Sequence, residues 1–150
     1  MKVALDTNVL AYAEGINGAE MRSAALDLLE RLPGESVVVP VQVLGELFHV
    51  LVRKGGRSRV EARDAILAWQ DAYAVADTSE PVLRSAAELS AGGQLGIWDS
   101  VILSVASASG CRLLLSQDLQ NGFTWNGVTV ADPFAPVKND LLEGILGTHQ

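Results

Sequence analysis

The sequence predicts an α/β fold on a mostly parallel sheet of four or five strands, with helices covering both faces. Two observations carry that expectation. Short apolar runs alternate along the chain with longer stretches of helical periodicity. The short runs (VAL, VVV, LLL) are also continuously apolar, as strands buried on both faces require.

Residues 2–5 form the first strand, ending at Asp6, and a helix follows from Thr7 to about Glu14. Residues 19–32 place Met21, Ala25, Leu28, Leu29 and Leu32 on one side of a helix that Pro33-Gly34 stops. Val37–Val39 is the second strand, and Pro40 suits the first turn of a helix running to about Arg53. Gly55-Gly56 breaks that helix, and Ser58 caps the next, from 59 to about 72. The third strand spans 73–76. Ser79 caps a helix with Pro81 near its start, ending at Gly92-Gly93. Residues 97–109 form a further helix closed by Gly110. Leu113–Leu115 and Val128–Val130 are the fourth and fifth strands, the latter after an Asn126-Gly127 turn. Residues 139–146 suit a short helix.

The length suits one domain over residues 1–150, large enough to bury a core. No charge-free stretch is long and apolar enough to span a bilayer, and an acid six residues in does not suit a signal peptide. A single cysteine, Cys111, excludes an internal disulfide, and no Cys/His spacing suggests zinc. These features read as a cytoplasmic protein with no membrane association. The net charge of −7 is awkward for a nucleic-acid binder. The bases are nevertheless clustered: Arg53, Lys54, Arg57, Arg59 and Arg63 fall within eleven residues, which taken alone reads as a solvated helix–helix connection.

Four acids stand apart. Asp6, Glu46, Asp99 and Asp118 are each the one charged residue of a long apolar segment, spanning 3–13, 37–52, 89–111 and 113–131. A carboxylate embedded in core-forming sequence is costly without a compensating partner. None of these segments contains a Lys or Arg, so the missing partner reads as a metal cation. Asp6 and Asp118 follow strand ends, the edge where parallel sheets bind ligands. Asp99 lies in the first turn of its helix, and Glu46 sits mid-helix between Val43 and Val50, on a face that reads as apolar. If the four converge, repulsion raises their pKa values until a hard divalent ion binds, with Mg²⁺ or Mn²⁺ suiting an all-oxygen site for phosphoryl chemistry. Thr7, Asn8, Ser100 and Ser116 lie beside the acids and could orient carboxylates or water. Taken singly, each has a plainer explanation as a helix cap or turn former, and Glu46 could instead meet an arginine from elsewhere in the fold.

Together DTNVLAY, VLGELF, WDSVILSVA and LLSQDLQNG resemble the four motifs of PIN-domain nucleases, and more closely those of VapC-type toxins from toxin–antitoxin pairs. The acids, 40, 53 and then 19 residues apart, follow the family's order and spacing. The resemblance runs from Met1 to about Pro133. It implies a three-layer α/β/α sandwich and a Mg²⁺- or Mn²⁺-dependent endoribonuclease acting on single-stranded or looped RNA. Asp6 and Asp99 match the principal metal ligands, and Glu46 and Asp118 the acids completing the pocket. Ser116 matches the hydroxyl residue two before the last acid, and Asn8 a polar residue of the first motif. The resemblance further implies a homodimer inhibited by a small antitoxin. Arg53, Lys54, Arg57 and Arg59 become candidates for RNA-backbone contacts, with antitoxin contact an equal alternative.

Two other functions compete. A haloacid-dehalogenase-type phosphatase also opens with an aspartate after the first strand, but usually carries an acid where Asn8 stands. A PIN-like module with an idle pocket would bind RNA or protein without cutting. Ser/His/Asp catalysis has little support, since His49 reads as a satisfied helix histidine and His149 falls in the tail. Gly92–Gly96 reads as a helix-ending loop rather than a phosphate loop. Trp98 reads as core or dimer packing before base stacking, and Asp132 as a turn residue.

Overall fold

A computed structural model describes residues 1–147 of the chain; His149 lies outside the described residues. Its order is β1 (Lys2–Leu5), α1 (Thr7–Ala13), α2 (Ala19–Arg31), β2 (Val37–Pro40), α3 (Val41–Arg53), α4 (Arg59–Ala72) and β3 (Ala74–Ala76). There follow α5 (Glu80–Ala91), α6 (Ile97–Ala108), β4 (Cys111–Leu115), β5 (Thr124–Trp125), β6 (Val128–Ala131) and α7 (Asp140–Leu146).

The strands form a six-stranded sheet in the order β3-β2-β1-β4-β6-β5. Every neighbouring pair is parallel except β5 and β6, which form an antiparallel hairpin. The sheet therefore has one strand more than the four or five expected. The extra strand is the two-residue β5, joined to β6 through Asn126 and Gly127, both at positive φ as the tight turn demands. Pro40 closes β2 rather than opening α3, and β4 begins two residues earlier than expected, at Cys111.

From β1 the chain steps outward through β2 to β3, then returns across the sheet to β4 and β6. Right-handed crossovers place the helices of the outward steps on one face and those of the return on the other. The packing agrees: α1 lies on α2 and α3, and α3 on α4, whereas α5 lies on α6, which packs against β2, β4 and β6. The central strands carry the core between them. Val3, Ala4, Leu5, Val39, Leu113, Leu114 and Leu115 are fully buried. A smaller apolar cluster of Val82, Ala86, Val101 and Val105 joins α5 to α6. Because successive strands diverge on either side of the β1–β4 pair, a crevice opens beyond their carboxyl ends. Among the described residues, no helix is long and apolar enough to cross a membrane.

Candidate functional site

Asp6 sits at that crevice. It follows β1, and its backbone N–H extends the ladder by donating to the Leu115 carbonyl of β4 at 3.0 Å. Its side chain caps α1: Oδ1 accepts from the Thr7 N–H at 2.7 Å. The other oxygen, Oδ2, accepts from the Ser116 hydroxyl at 2.7 Å. That hydroxyl also accepts from the N–H groups of Asp118 and Leu119 at 3.1 and 3.2 Å. Ser116, fully buried, thus ties the first acid to the turn that carries the last. Asn8 reinforces the turn, since its Oδ1 accepts from the Gln117 N–H at 3.2 Å, and the Tyr12 hydroxyl donates to Gln117 Oε1.

Burial pushes the Asp6 carboxyl up from 3.8 to about 6, against the lowering effect of its two hydrogen bonds; the charges of Glu46 and Asp118 push it further the same way. Asp99 is likewise raised, first by burial and then by Asp118. These couplings join all four acids along one rim, with Asp118 felt by both Asp6 and Asp99. Glu46, Asp99 and Asp118 border two adjoining clefts, whereas the buried Asp6 lines neither and reaches the larger through its neighbour Thr7. One, of about 780 Å³, is lined by Thr7, Glu46, Lys54, Trp98 and Asp118 among others. The second, of about 580 Å³, is lined by Gln94, Asp99, Asp118, Gln120 and Phe123 among others. Asp118 stands on the divide.

The acids share a rim without closing on a point. Among the described residues, no group of three or more His, Cys, Asp or Glu side chains is placed to hold a metal ion as it stands. Glu46 Oε1 accepts from the Gln42 side-chain amide at 3.1 Å and is approached by the Thr7 hydroxyl at 3.4 Å. Glu46 lies with Gln42, Gly45, His49 and Val50 on the face of α3 toward the cleft, away from the buried Val43, Leu44, Leu47 and Leu51. The donor set still fits a hard cation, being entirely oxygen and net negative. Among the described residues, the ion pairs Arg31–Asp27, Arg57–Glu14, Arg63–Asp64 and Arg84–Glu80 all lie away from the four acids.

Other expectations fared unevenly. Ser100, beside Asp99, is fully buried and its hydroxyl makes no hydrogen bond, so it does not orient a carboxylate here. Of the basic cluster, Lys54 lines the larger cleft, whereas Arg53 and Arg59 are exposed outside its lining. Arg57 is committed elsewhere: its guanidinium donates to the Glu14 carboxylate and carbonyl, both at 2.6 Å. His49 is an exposed cleft residue rather than a satisfied helix histidine. Trp98 is 63% exposed rather than packed in the core. Asp132 is a turn residue, its Oδ1 accepting from the Phe134 N–H at 2.9 Å. The sequence reading missed Gln42, although an amide four residues before an acid on a helix is a recognisable pairing signal.

Comparison with known proteins adds two findings. The family model described as the PIN domain matches residues 3–121. No curated protein matches the sequence. Among solved structures, VapC20 of Mycobacterium tuberculosis, described as a toxin that cleaves the sarcin-ricin loop, is 20% identical with a TM-score of 0.65, covering 78% of this chain and 92% of its own. A toxin–antitoxin complex from Klebsiella pneumoniae is 18% identical with a TM-score of 0.66, covering 89% and 98%. FitAcB from Neisseria gonorrhoeae is 19% identical with a TM-score of 0.63, covering 88% and 98%. At these identities the likeness is one of fold.

Proposed function

The chain belongs to the PIN-domain family, and on that footing we propose that it is a metal-dependent endoribonuclease, the toxin of a toxin–antitoxin pair. The observation that carries the reading is Asp6: a buried carboxyl at the β1–β4 crevice, raised to about 6, that feels two further acids. A protein keeps such a group against its desolvation cost where a cation or a reaction uses it.

In this reading Asp6 and Asp99 would be the principal holders of a magnesium or manganese ion, with Glu46 and Asp118 completing the set. When bound, the ion polarises the scissile phosphate and acidifies a water molecule. The protein's own residues prepare the site. Thr7 and Ser116 fix both oxygens of Asp6, so the carboxylate is presented in one rotamer. Asn8 and Ser116 fix the turn that sets Asp118 on the divide between the clefts. Gln42 restrains Glu46, and Lys54 offers a cation to a phosphate farther along the strand. Hydrolysis joins the water oxygen to phosphorus and breaks one phosphorus–oxygen ester bond. One proton leaves the water and one reaches the departing oxygen. Clefts on both sides of Asp118 suit a strand passing through, hence internal cleavage.

The toxin role is supported by solved structures of similar fold, which include a toxin that cleaves the sarcin-ricin loop and a toxin–antitoxin complex. A small antitoxin, a homodimer and a cytoplasmic location complete the proposal. Replacing Asp6 or Asp99 by Asn is expected to lower Mg²⁺-dependent RNA cleavage by about 100-fold or more while leaving the circular-dichroism spectrum unchanged. Full cleavage by either variant rejects the role given to that residue. Identical RNA binding with EDTA or Mg²⁺, without cleavage, would instead identify an idle module.

A further inference from the structure

The chain has three tryptophans, and two are engaged. Trp69 donates its indole N–H to Glu14 Oε2 at 2.8 Å and stacks on Tyr73, and Trp125 is half-buried against the core. Trp98 is the exception, at 63% exposed on the first turn of α6. A large aromatic on open surface calls for an occupant when it borders a site rather than standing alone. Here the indole lines the cleft shared by Thr7, Glu46 and Asp118, while the next residue, Asp99, lines the adjoining one. Its backbone is also held: the Trp98 carbonyl accepts from Gln42 Nε2 at 3.3 Å, the amide that restrains Glu46. Trp98 is therefore placed relative to the acids by a shared hydrogen-bond donor.

Charge then decides what the ring meets. The chain carries −7, the rim is acidic, and Lys54 and His49 are the basic side chains on the larger cleft's walls. Lys54 can serve one phosphate, so a polyanionic strand gains only part of its affinity from charge and needs a charge-independent source as well. Every unpaired base offers a π-face, and stacking on an aromatic side chain is such a source. We propose that Trp98 is the platform on which an unpaired base next to the scissile phosphate stacks, so that this residue selects single-stranded over paired RNA. The inference rests on the nuclease reading and extends it to a residue outside the acidic set.

The test uses short unstructured RNAs bound in EDTA, then cut in Mg²⁺. Trp98→Ala is expected to weaken binding roughly 5- to 150-fold, and Trp98→Phe to restore most of it. Removing one base beside the cut should weaken the wild type by a similar factor and add little to the loss in Trp98→Ala, as coupled partners behave in a double-mutant cycle. Duplex RNA should show no dependence on residue 98. If Trp98→Ala binds and cuts like the wild type while Asp6→Asn fails to cut, the platform is wrong and the nuclease reading stands. If the wild type neither binds nor cuts RNA, both fall. A Trp98→Ala chain that only loses self-association, or only releases a protein partner, with RNA affinity intact, overturns the platform as well.

Discussion

Exchanging Asp6 for asparagine should reveal the cost of its buried charge in the metal-free protein. The carboxyl ionises near 3.8 ordinarily and near 6 in the fold, first because burial strips its water and secondarily because Glu46 and Asp118 are close. Between those values the folded state keeps a proton that the unfolded chain has released, so stability falls as pH rises through this window, and the deficit is complete above the folded value. At about 1.4 kcal/mol per pH unit the gap corresponds to about 3 kcal/mol. Asparagine escapes this deficit but has its own cost. Its oxygen can still cap Thr7, yet its amide cannot accept from Ser116, whose hydroxyl already accepts from two backbone amides. An orphaned buried hydroxyl costs about 1–3 kcal/mol. The net difference at one pH is therefore small, and its pH dependence is the informative quantity. Urea denaturation in EDTA should show Asp6→Asn gaining on the wild type by about 2–3 kcal/mol from about pH 4 to about pH 8. Saturating Mg²⁺ should then reverse the ranking, stabilising the wild type by about 2.7 kcal/mol at a hundredfold excess over Kd and leaving the variant unchanged. A difference that stays flat with pH would refute the claim that the two hydrogen bonds of Asp6 leave its buried charge incompletely compensated.

Three further outcomes are expected. Arg57→Ala should lower stability by about 1–3 kcal/mol by releasing Glu14, measured by chemical denaturation, with RNA affinity untouched; a selective loss of affinity would return Arg57 to the RNA-contacting set. Lys54→Glu should do the opposite, leaving stability within about 0.5 kcal/mol while weakening RNA binding and reducing its log–log salt slope by about 1. Burial pushes the Cys111 thiol up to about 11, so a thiol reagent at about pH 8 should label the chain only after unfolding; rapid labelling of the native protein would contradict its buried position.

Much of the architecture was legible because the signals were local. Gly55-Gly56, Ser58 and Ser79 act through neighbours a few residues away, and the helices they delimit formed where expected, whereas Pro40 ended β2 instead of opening α3. The strand Thr124–Trp125 escaped because two residues carry no periodicity; its existence depends on the Asn126-Gly127 turn folding it onto Val128 and Thr129. The acids stood out because each is alone in an apolar segment, yet the fold buries only Asp6; Glu46 is half-buried, and Asp99 and Asp118 are exposed at the ends of their segments' elements. What the sequence could not convey was competition. Arg57 belongs to a visible basic run, but its partner Glu14 lies 43 residues upstream. Glu46 appeared surrounded by apolar neighbours, yet Gln42 and Thr7 engage its carboxylate. Trp98 looked like core or dimer-packing material because tryptophan is highly buried on average; it is exposed because it stands in the first turn of α6, ahead of the buried stretch Ser100–Ala106.

The hydrogen bond between Asp6 and Ser116 spans 110 positions of the chain. A ribosome making this protein has released the first of those residues long before the second, and β1, which can pair with β2 early, must wait for β4 before its other neighbour in the sheet exists. A fragment ending before Gly110 lacks Ser116 and the last acid, and nothing in it can fix the second oxygen of Asp6. In the proposed activity the ability to cut would thus arrive only with the late part of translation, which leaves an unfinished copy without its complete set of acids.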